Sequence, residues 1–224
     1  MPLILILAEC GLEIIPKKLR RHPAVKRNTN KKLYSSQLLD SALHHSAMKK
    51  LKDYDKRGRP DILHLGLLNA LGSPLNKSGN LQLYIHTIRN KIFKVNPDVR
   101  IAKNYNRFKG LMGKLLIDGE IKFEDLSLFS PVKGSLKKLI ESYKDPDVLL
   151  FSSRGKLIKD TKQIFSEDLS KDYIGIIGGF QKGTFSHKIL NLSQNLISIS
   201  EYKLNSWIVV SRAVVFYELI HQLL

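Results

Sequence analysis

Three segments of this chain place glycine or small polar residues directly after an apolar run, which is where a parallel sheet opens to a ligand. Val148-Leu149-Leu150-Phe151 leads into Ser152-Ser153-Arg154-Gly155, and Tyr173-Ile174-Gly175-Ile176-Ile177 into Gly178-Gly179-Phe180-Gln181-Lys182-Gly183. Leu196-Ile197-Ser198-Ile199-Ser200 leads into Glu201-Tyr202-Lys203-Leu204-Asn205-Ser206. None contains GxGxxG or a P-loop, so a standard dinucleotide or nucleoside triphosphate site is not supported. A glycine after a strand also serves a plain tight turn. Three such loops in one half of the chain argue instead for a pocket that takes a small neutral ligand.

A second group of residues is basic. Arg89, Lys91, Lys94, Arg100, Lys103, Arg107 and Lys109 are interleaved with Phe93, Tyr105 and Phe108, a mixture that suits an RNA backbone and its unstacked bases. Phe108, Leu111, Met112, Leu115 and Leu116 fall at helical spacing, which assigns Phe108 to the interior and leaves Tyr105 open to a base. Asp61, after Arg59-Pro60, has two readings: a carboxylate acting on a bound base, or one that favours a helix N-terminus or pairs with a nearby arginine. His44 and His45 beside Asp40 lack the further ligands that a metal needs, so no metal site is expected. Nothing in the spacing gives His64 or His86 a proton to move. The single cysteine, Cys10, excludes an intrachain disulfide framework and a cysteine zinc cluster, and at the end of a buried strand it is read as inert.

The elements that must carry these residues alternate. Strands are expected at Leu3 to Ala8, Leu81 to Thr87, Ile121 to Phe123, Val148 to Ser152, Tyr173 to Ile177 and Leu196 to Ile199. Helices are expected at Ser36 to Lys52, Ile62 to Leu71, Tyr105 to Ile117, Gly134 to Tyr143, near Phe185 to Leu192, and at Leu204 to Leu224. The alternation indicates an α/β protein with a mainly parallel sheet covered by helices on both faces. The last helix is apolar on most sides and must be buried, in the core or against a second subunit. Arg212 within it needs a partner, expected across a dimer interface, with Glu218 as one candidate in the same region.

With 224 residues, 43% of them hydrophobic, the chain can bury a sizeable core without staples. The run Leu3 to Leu7 is too short to span a bilayer and is followed at once by Glu9, so it reads as a buried strand of a cytoplasmic protein. Lys plus Arg exceed Asp plus Glu by 17. Positions 17 to 60 carry +11 and positions 61 to 120 carry +5, against +3 for everything after 120. Charge concentrated in this way indicates a polyanion-facing surface on the N-terminal half rather than general solubility. Lys17 to Lys32 is expected to be an exposed basic loop, mobile until bound.

Four blocks of the chain resemble the Nep1 (Emg1) family of ribosomal RNA methyltransferases. The first runs Arg57-Gly58-Arg59-Pro60-Asp61-Ile62-Leu63-His64 to Ser73-Pro74-Leu75-Asn76-Lys77. The second runs Leu83-Tyr84-Ile85-His86-Thr87 through Val95-Asn96-Pro97 and Val99-Arg100-Ile101 to Tyr105-Asn106-Arg107-Phe108-Lys109-Gly110-Leu111-Met112. Ile174-Gly175, Gly178-Gly179-Phe180, Gly183 and Phe185-Ser186 form the third, and Ser198-Ile199-Ser200 with Leu204 the fourth. The chain departs from the family at Ala102-Lys103, where many members have Pro-Arg, and at Gln181-Lys182, where archaeal members often have Pro-His. Lys103 keeps the charge but loses the bidentate fork. The lack of long insertions is similar to archaeal members.

The resemblance implies a SPOUT-class fold: a trefoil-knotted, mainly parallel sheet, one domain over 1–224, working as a homodimer. Positions 17–120 would face RNA and 147–224 would hold the cofactor, S-adenosylmethionine. The implied activity is methylation of N1 of a pseudouridine in small-subunit ribosomal RNA, with a part in small-subunit assembly and possible contacts with assembly proteins. Cofactor contacts fall to Ile177, Gly178, Gly179, Gln181, Gly183, Ile199, Ser200, Glu201, Tyr202 and Leu204. The catalytic pair would be Asp61 and Arg59, with Arg59 positioning the backbone and Asp61 orienting Arg59 or accepting a hydrogen bond from the base, and RNA contacts fall to Arg59, Arg100, Lys103, Tyr105 and Arg107. Two other functions compete. A SPOUT enzyme acting on transfer RNA would keep the loops but not the Arg-Pro-Asp-Ile block, and a non-catalytic assembly factor would have no use for three convergent loops.

Overall fold

The opening apolar run forms the middle of an eight-stranded sheet. In the computed structural model, which describes residues 2–30, 32–168 and 171–223, β1 (Leu3–Cys10) is buried at every position. It pairs in parallel with β2 (Leu81–Thr87) on one side and β7 (Tyr173–Gly178) on the other, Leu3 lying opposite Leu81 and Tyr173. Beyond β7 the sheet continues in parallel through β6 (Asp147–Leu157) to β8 (Leu196–Ser198). Beyond β2 it turns antiparallel through β3 (Ile92–Val95) and β5 (Leu126–Val132) to β4 (Ile121–Phe123). The order is β4-β5-β3-β2-β1-β7-β6-β8. The sheet is mainly parallel, as expected, with five parallel strands from β2 to β8 and an antiparallel extension of three. Neither β3 nor β5 is foreseen by the pattern, since one has only four residues and the other contains Pro131, which lies beyond the last β4 pair, where no amide is required.

Alternation along β1 divides the core. Leu3, Leu5 and Leu7 face a cluster shared with α3 (Pro60–Gly72), α5 (Tyr105–Asp118) and α8 (Ser206–Ile220). Ile4, Ile6 and Ala8 face α6 (Leu136–Ile140) and α7 (His187–Leu190). Helices therefore cover both faces, as the period-2 and period-3.6 patterns require. Pro60 stands at the first turn of α3, while Asn104 caps α5 by accepting from the Arg107 amide at 3.1 Å. Phe108 is fully buried, as its spacing demanded.

Three expectations are corrected. Lys17 to Lys32 is not a loop: it holds a 3-10 turn at Lys17–Leu19 and α1 (Pro23–Asn28), where His22 Nδ1 caps the Ala24 amide at 3.2 Å. Leu19 and Val25 pack there against Ile15, Leu39 and Met48; residue 31 lies outside the described residues. Ser36 to Lys52 is not one helix. Leu39 pairs with Glu13 through its amide at 2.9 Å, and Asp40 caps α2 (Ser41–Met48) by accepting from Ala42 at 3.0 Å, so the chain runs extended before the helix starts. Finally, Glu218 is not free to meet Arg212 of another subunit, because it is buried and accepts the Leu75 amide at 2.8 Å at the start of α4 (Pro74–Lys77). Arg212 is exposed, beside an outward stripe of Ile208, Val215 and Leu219.

Candidate functional site

The carboxyl ends of β6, β7 and β8 open into one cleft of about 580 Å³. Two close backbone approaches shape it. The amide of Gly179 donates to Ala8 O at 2.7 Å, its carbonyl accepts from Gly11 at 3.1 Å, and a Cβ there would collide with Cys10 Sγ. Segment 152–157 runs beside β8, and a Cβ on Gly155 would stand 2.5 Å from the Ile197 backbone. Ser206, opening α8, donates its hydroxyl to Gly178 O at 2.5 Å, which pins the helix to the end of β7.

Ile177, Gly178, Gln181, Gly183, Ile199, Ser200, Tyr202 and Leu204 line this cleft, with Phe151, Phe180 and Val209 adding apolar wall and Ser152, Ser153 and Ser198 polar groups. Gly179 and Glu201 do not line it. Gly179 is a packing glycine under the loop, and Glu201 is exposed. Phe180 and Val209 escaped the sequence reading because one is a lone aromatic in a glycine loop and the other sits in a helix that looked wholly structural. The cleft has the size and the mixture of apolar wall and few polar groups expected of a site for a drug-sized molecule. No group of three or more His, Cys, Asp or Glu able to hold a metal occurs among the described residues.

A second constellation lies where α3 and α5 begin. Arg59 grips Asp61 through both edges, Nε to Oδ1 at 2.8 Å and Nη2 to Oδ2 at 2.6 Å. The hydrogen bond to Asp61 holds the Arg59 guanidinium above its ordinary range despite partial burial. Asp61 also lies in the first turn of α3, so the helix-terminus and arginine-pair features of its reading coincide at this position. Tyr105 donates its hydroxyl to Asp40 Oδ2 at 3.2 Å, and Lys109 donates to the same oxygen at 3.0 Å. Burial, with Asp40 and Asp61 nearby, raises the Tyr105 phenol well above its usual range, so it stays neutral. His64 stacks on Phe108 with ring centroids 4.3 Å apart and bonds Ala102 O at 2.7 Å, a structural position. His44, held below its usual pKa chiefly by burial, receives the Asp40 amide on Nδ1. Arg100, Lys103 and Arg107 are exposed.

The two sites share a residue. Gly11 donates its amide to Gly179 O below the cleft and accepts the Arg59 amide at 3.0 Å. Arg57 is buried and clamps Glu13 at 2.5 and 2.7 Å, with Arg89 on the same carboxylate at 2.9 Å. Arg57 is thereby internal framework rather than surface charge, while Arg89 reaches the same carboxylate from the surface, its side chain 55% exposed.

A cleft at the ends of parallel strands beside a basic face is the arrangement that the four sequence blocks implied. The family model described as EMG1/NEP1 methyltransferase matches residues 5–218. The chain belongs to this family. It is 42% identical to the ribosomal RNA small subunit methyltransferase Nep1 of Staphylothermus marinus over 226 residues, covering 100% of this chain and 98% of that one. It is 40% identical to the Nep1 of Thermococcus kodakarensis over 218 residues, 96% of each. The crystal structure of Archaeoglobus fulgidus Nep1 bound to S-adenosylhomocysteine superposes with a TM-score of 0.85 at 33% identity, covering 99% of this chain and 100% of that one. Membership in the family accounts for the block pattern, and the superposition accounts for the mixed sheet as a family feature.

Proposed function

We propose that this protein transfers a methyl group from S-adenosylmethionine to N1 of a pseudouridine in small-subunit ribosomal RNA, and that it serves small-subunit assembly in the cytoplasm. The observation that carries the proposal is the placement of the strand-end cleft one glycine, Gly11, away from the Arg59–Asp61 pair. The cofactor supplies an electrophilic methyl on a sulfonium. Ile177, Ile199, Leu204 and Val209 form an apolar slot suited to its adenosyl part, and Ser200 and Gln181 are polar groups on the same lining. Charged side chains are few around the cleft, in keeping with recognition through backbone groups. Arg59, fixed by Asp61, presents its guanidinium at the start of α3 to the RNA backbone. Arg100, Lys103 and Arg107 continue that surface, and Tyr105 offers a neutral ring to an unstacked base. Pseudouridine carries a free N1–H that uridine lacks, so placing N1 against the methyl donor and losing that proton are all the chemistry needs.

Three further features belong to this reading. The chain is one domain over 1–224, with RNA on 17–120 and cofactor on 147–224. Segment 152–157, laid against Ile197 and Ser198, is the crossing of a trefoil knot. The outward stripe Ile208, Val215 and Leu219 of α8, with Arg212 between them, joins two copies into a dimer, since those side chains are 39%, 41% and 50% exposed in the single chain. No helix among the described residues is long and apolar enough to cross a membrane.

The test uses two synthetic RNA loops that differ only in uridine or pseudouridine at the target, with labelled S-adenosylmethionine. Methyl transfer is expected to the pseudouridine loop alone, because uridine uses N1 for its glycosidic bond. Equal transfer to both overturns the N1 assignment, and tight binding without transfer to either points to an assembly factor.

A further inference from the structure

The last residues of β1 carry an arrangement that neither the cleft lining nor the RNA face explains. Glu9 adopts a left-handed backbone, φ 51°, which a residue with a side chain rarely takes and which persists only where surroundings enforce it. The enforcement is visible. Its amide donates to His86 Nδ1 at 3.1 Å, and His86 Nε2 bonds Asn90 Oδ1 at 3.1 Å. The resulting turn brings the Glu9 carboxylate beneath segment 180–186, where both oxygens accept the Ser186 amide at 3.3 Å.

The counter-charge is Lys56, whose ammonium reaches Glu9 Oε2 at 2.8 Å; the two side chains are only 14% and 8% exposed. The same ammonium lies 4.7 Å from the centre of the Phe180 ring. The Lys56 stem runs under Gly183, φ 103°, with Cε 3.3 Å from where a Cβ would stand. Phe180 and Gly183 both line the cleft. The pair therefore touches segment 180–186 at three points, Phe180, Gly183 and Ser186, and Lys56 also opens the stretch Lys56-Arg57-Gly58-Arg59 that leads to the RNA face. Buried ion pairs seldom add stability over apolar residues of the same shape, so keeping one here at the cost of a strained Glu9 calls for a positional role.

We infer that Lys56 and Glu9 are positioning residues for the cofactor site, holding segment 180–186 in the shape that closes one wall of the cleft. The inference rests on the methyltransferase reading and extends it to two residues that touch neither substrate. Lys56→Met keeps the stem under Gly183 and removes the charge; Glu9→Gln keeps an acceptor for Ser186 and removes the partner of Lys56. Lys56→Arg keeps both the charge and the stacking on Phe180.

Calorimetry with S-adenosylmethionine on the full chain, checked by circular dichroism and thermal melting, reads the effect. Lys56→Met and Glu9→Gln are each expected to weaken cofactor binding about tenfold, the size of a lost cation–π contact with loss of loop order. Lys56→Arg restores it to within about threefold, and kcat at saturating cofactor and RNA stays at the parent value while the cofactor KM rises. RNA affinity and its salt slope stay unchanged, since a buried ammonium releases no counterions. Cofactor affinity equal to the parent's in folded Lys56→Met overturns the inference, as does a lowered RNA salt slope, which would make Lys56 a phosphate contact. If neither variant folds, the pair is structural and the inference falls. A parent protein that binds no S-adenosylmethionine overturns the methyltransferase reading itself.

Discussion

Removing three exposed cations together, Arg100→Ala with Lys103→Ala and Arg107→Ala, should change the salt dependence of RNA binding by an amount the structure sets. The sequence offers seven basic residues between Arg89 and Lys109. Three of them are committed elsewhere: Arg89 to Glu13 at 2.9 Å, Lys91 to the Leu116 carbonyl at 3.2 Å, and Lys109 to Asp40 at 3.0 Å. The other four, Lys94, Arg100, Lys103 and Arg107, are exposed, and none of the ion pairs among the described residues includes them; the last three lie together at the start of α5 and on the loop before it. Each phosphate contact to single-stranded RNA contributes about 0.7 to the slope of log affinity against log salt, so the triple variant should lose about 2.1. Between about 50 and 200 mM salt, the variant then loses about 18-fold less affinity than the parent does. Fluorescence anisotropy with a labelled pseudouridine loop measures this directly. Lys109→Met is the contrast: its ammonium is buried against Asp40, so the slope should hold while stability falls by about 3–5 kcal/mol. A triple variant with the parent's slope, or Lys109→Met with a reduced slope and normal melting, would refute the assignment of the RNA face.

Gly155→Ala should destabilise the fold by about 3 kcal/mol and weaken cofactor binding, because the new Cβ meets the Ile197 backbone rather than a yielding side chain. Gly110→Ala in α5, with nothing within 4 Å of the added atom, should instead stabilise by about 0.5–1 kcal/mol, and urea titration of both separates close approach from helix propensity. Burial holds His44 and His86 below their unfolded pKa, so the unfolded chain binds more protons as pH falls under about 6.5. Stability should be constant in this respect above that pH and decline below it, with at most about 1.4 kcal/mol per pH unit from each histidine, and His86→Gln should remove its share in denaturant melts at pH 7, 6 and 5. Val215→Lys with Leu219→Glu on the outward stripe of α8 should give a folded monomer by sedimentation, whereas an unchanged dimer would place the interface elsewhere.

The parts of the fold that can be read in the sequence are those whose signal is local. β1 opens on the apolar run Leu3 to Ala8, β7 is apolar with glycines, β2 is mostly apolar around Gln82, and α3 and α5 show helical spacing, so their existence follows within a residue or two of the observed ends. The cleft follows from them, because loops at the ends of parallel strands converge by topology. What stays hidden depends on partners distant in sequence. The strand Ile92–Val95 is stabilised by β2 and β5 on its two sides, not by its own pattern. The 3-10 turn and α1 in the basic segment exist because Leu19 and Val25 find a pocket formed by Leu39 and Met48. Gly179 looked like a ligand-facing glycine, yet its need is for close packing on Cys10, and nothing in a Gly-Gly pair distinguishes the two.

Charge shows the same division most clearly. A count along the chain gives a basic N-terminal half and treats every cation as surface. In the fold, Glu9, Glu13, Asp40 and Asp61 hold Lys56, Arg57, Lys109 and Arg59 in turn, across separations of 47, 44, 69 and 2 positions. Only the last of these is short enough to be anticipated. Three of these acids thus fix Lys56, Arg57 and Lys109 inside this half, while Asp61 holds Arg59 at its edge, and Arg59 with the unpaired exposed cations is what a polyanion can meet. The excess charge therefore identifies the class of partner, while the placement of four carboxylates decides which basic residues meet it. This is also why Arg57 and Arg59, two positions apart, have opposite duties: one is sealed against Glu13, and the other stands partly exposed at the start of α3 with Asp61 setting its angle.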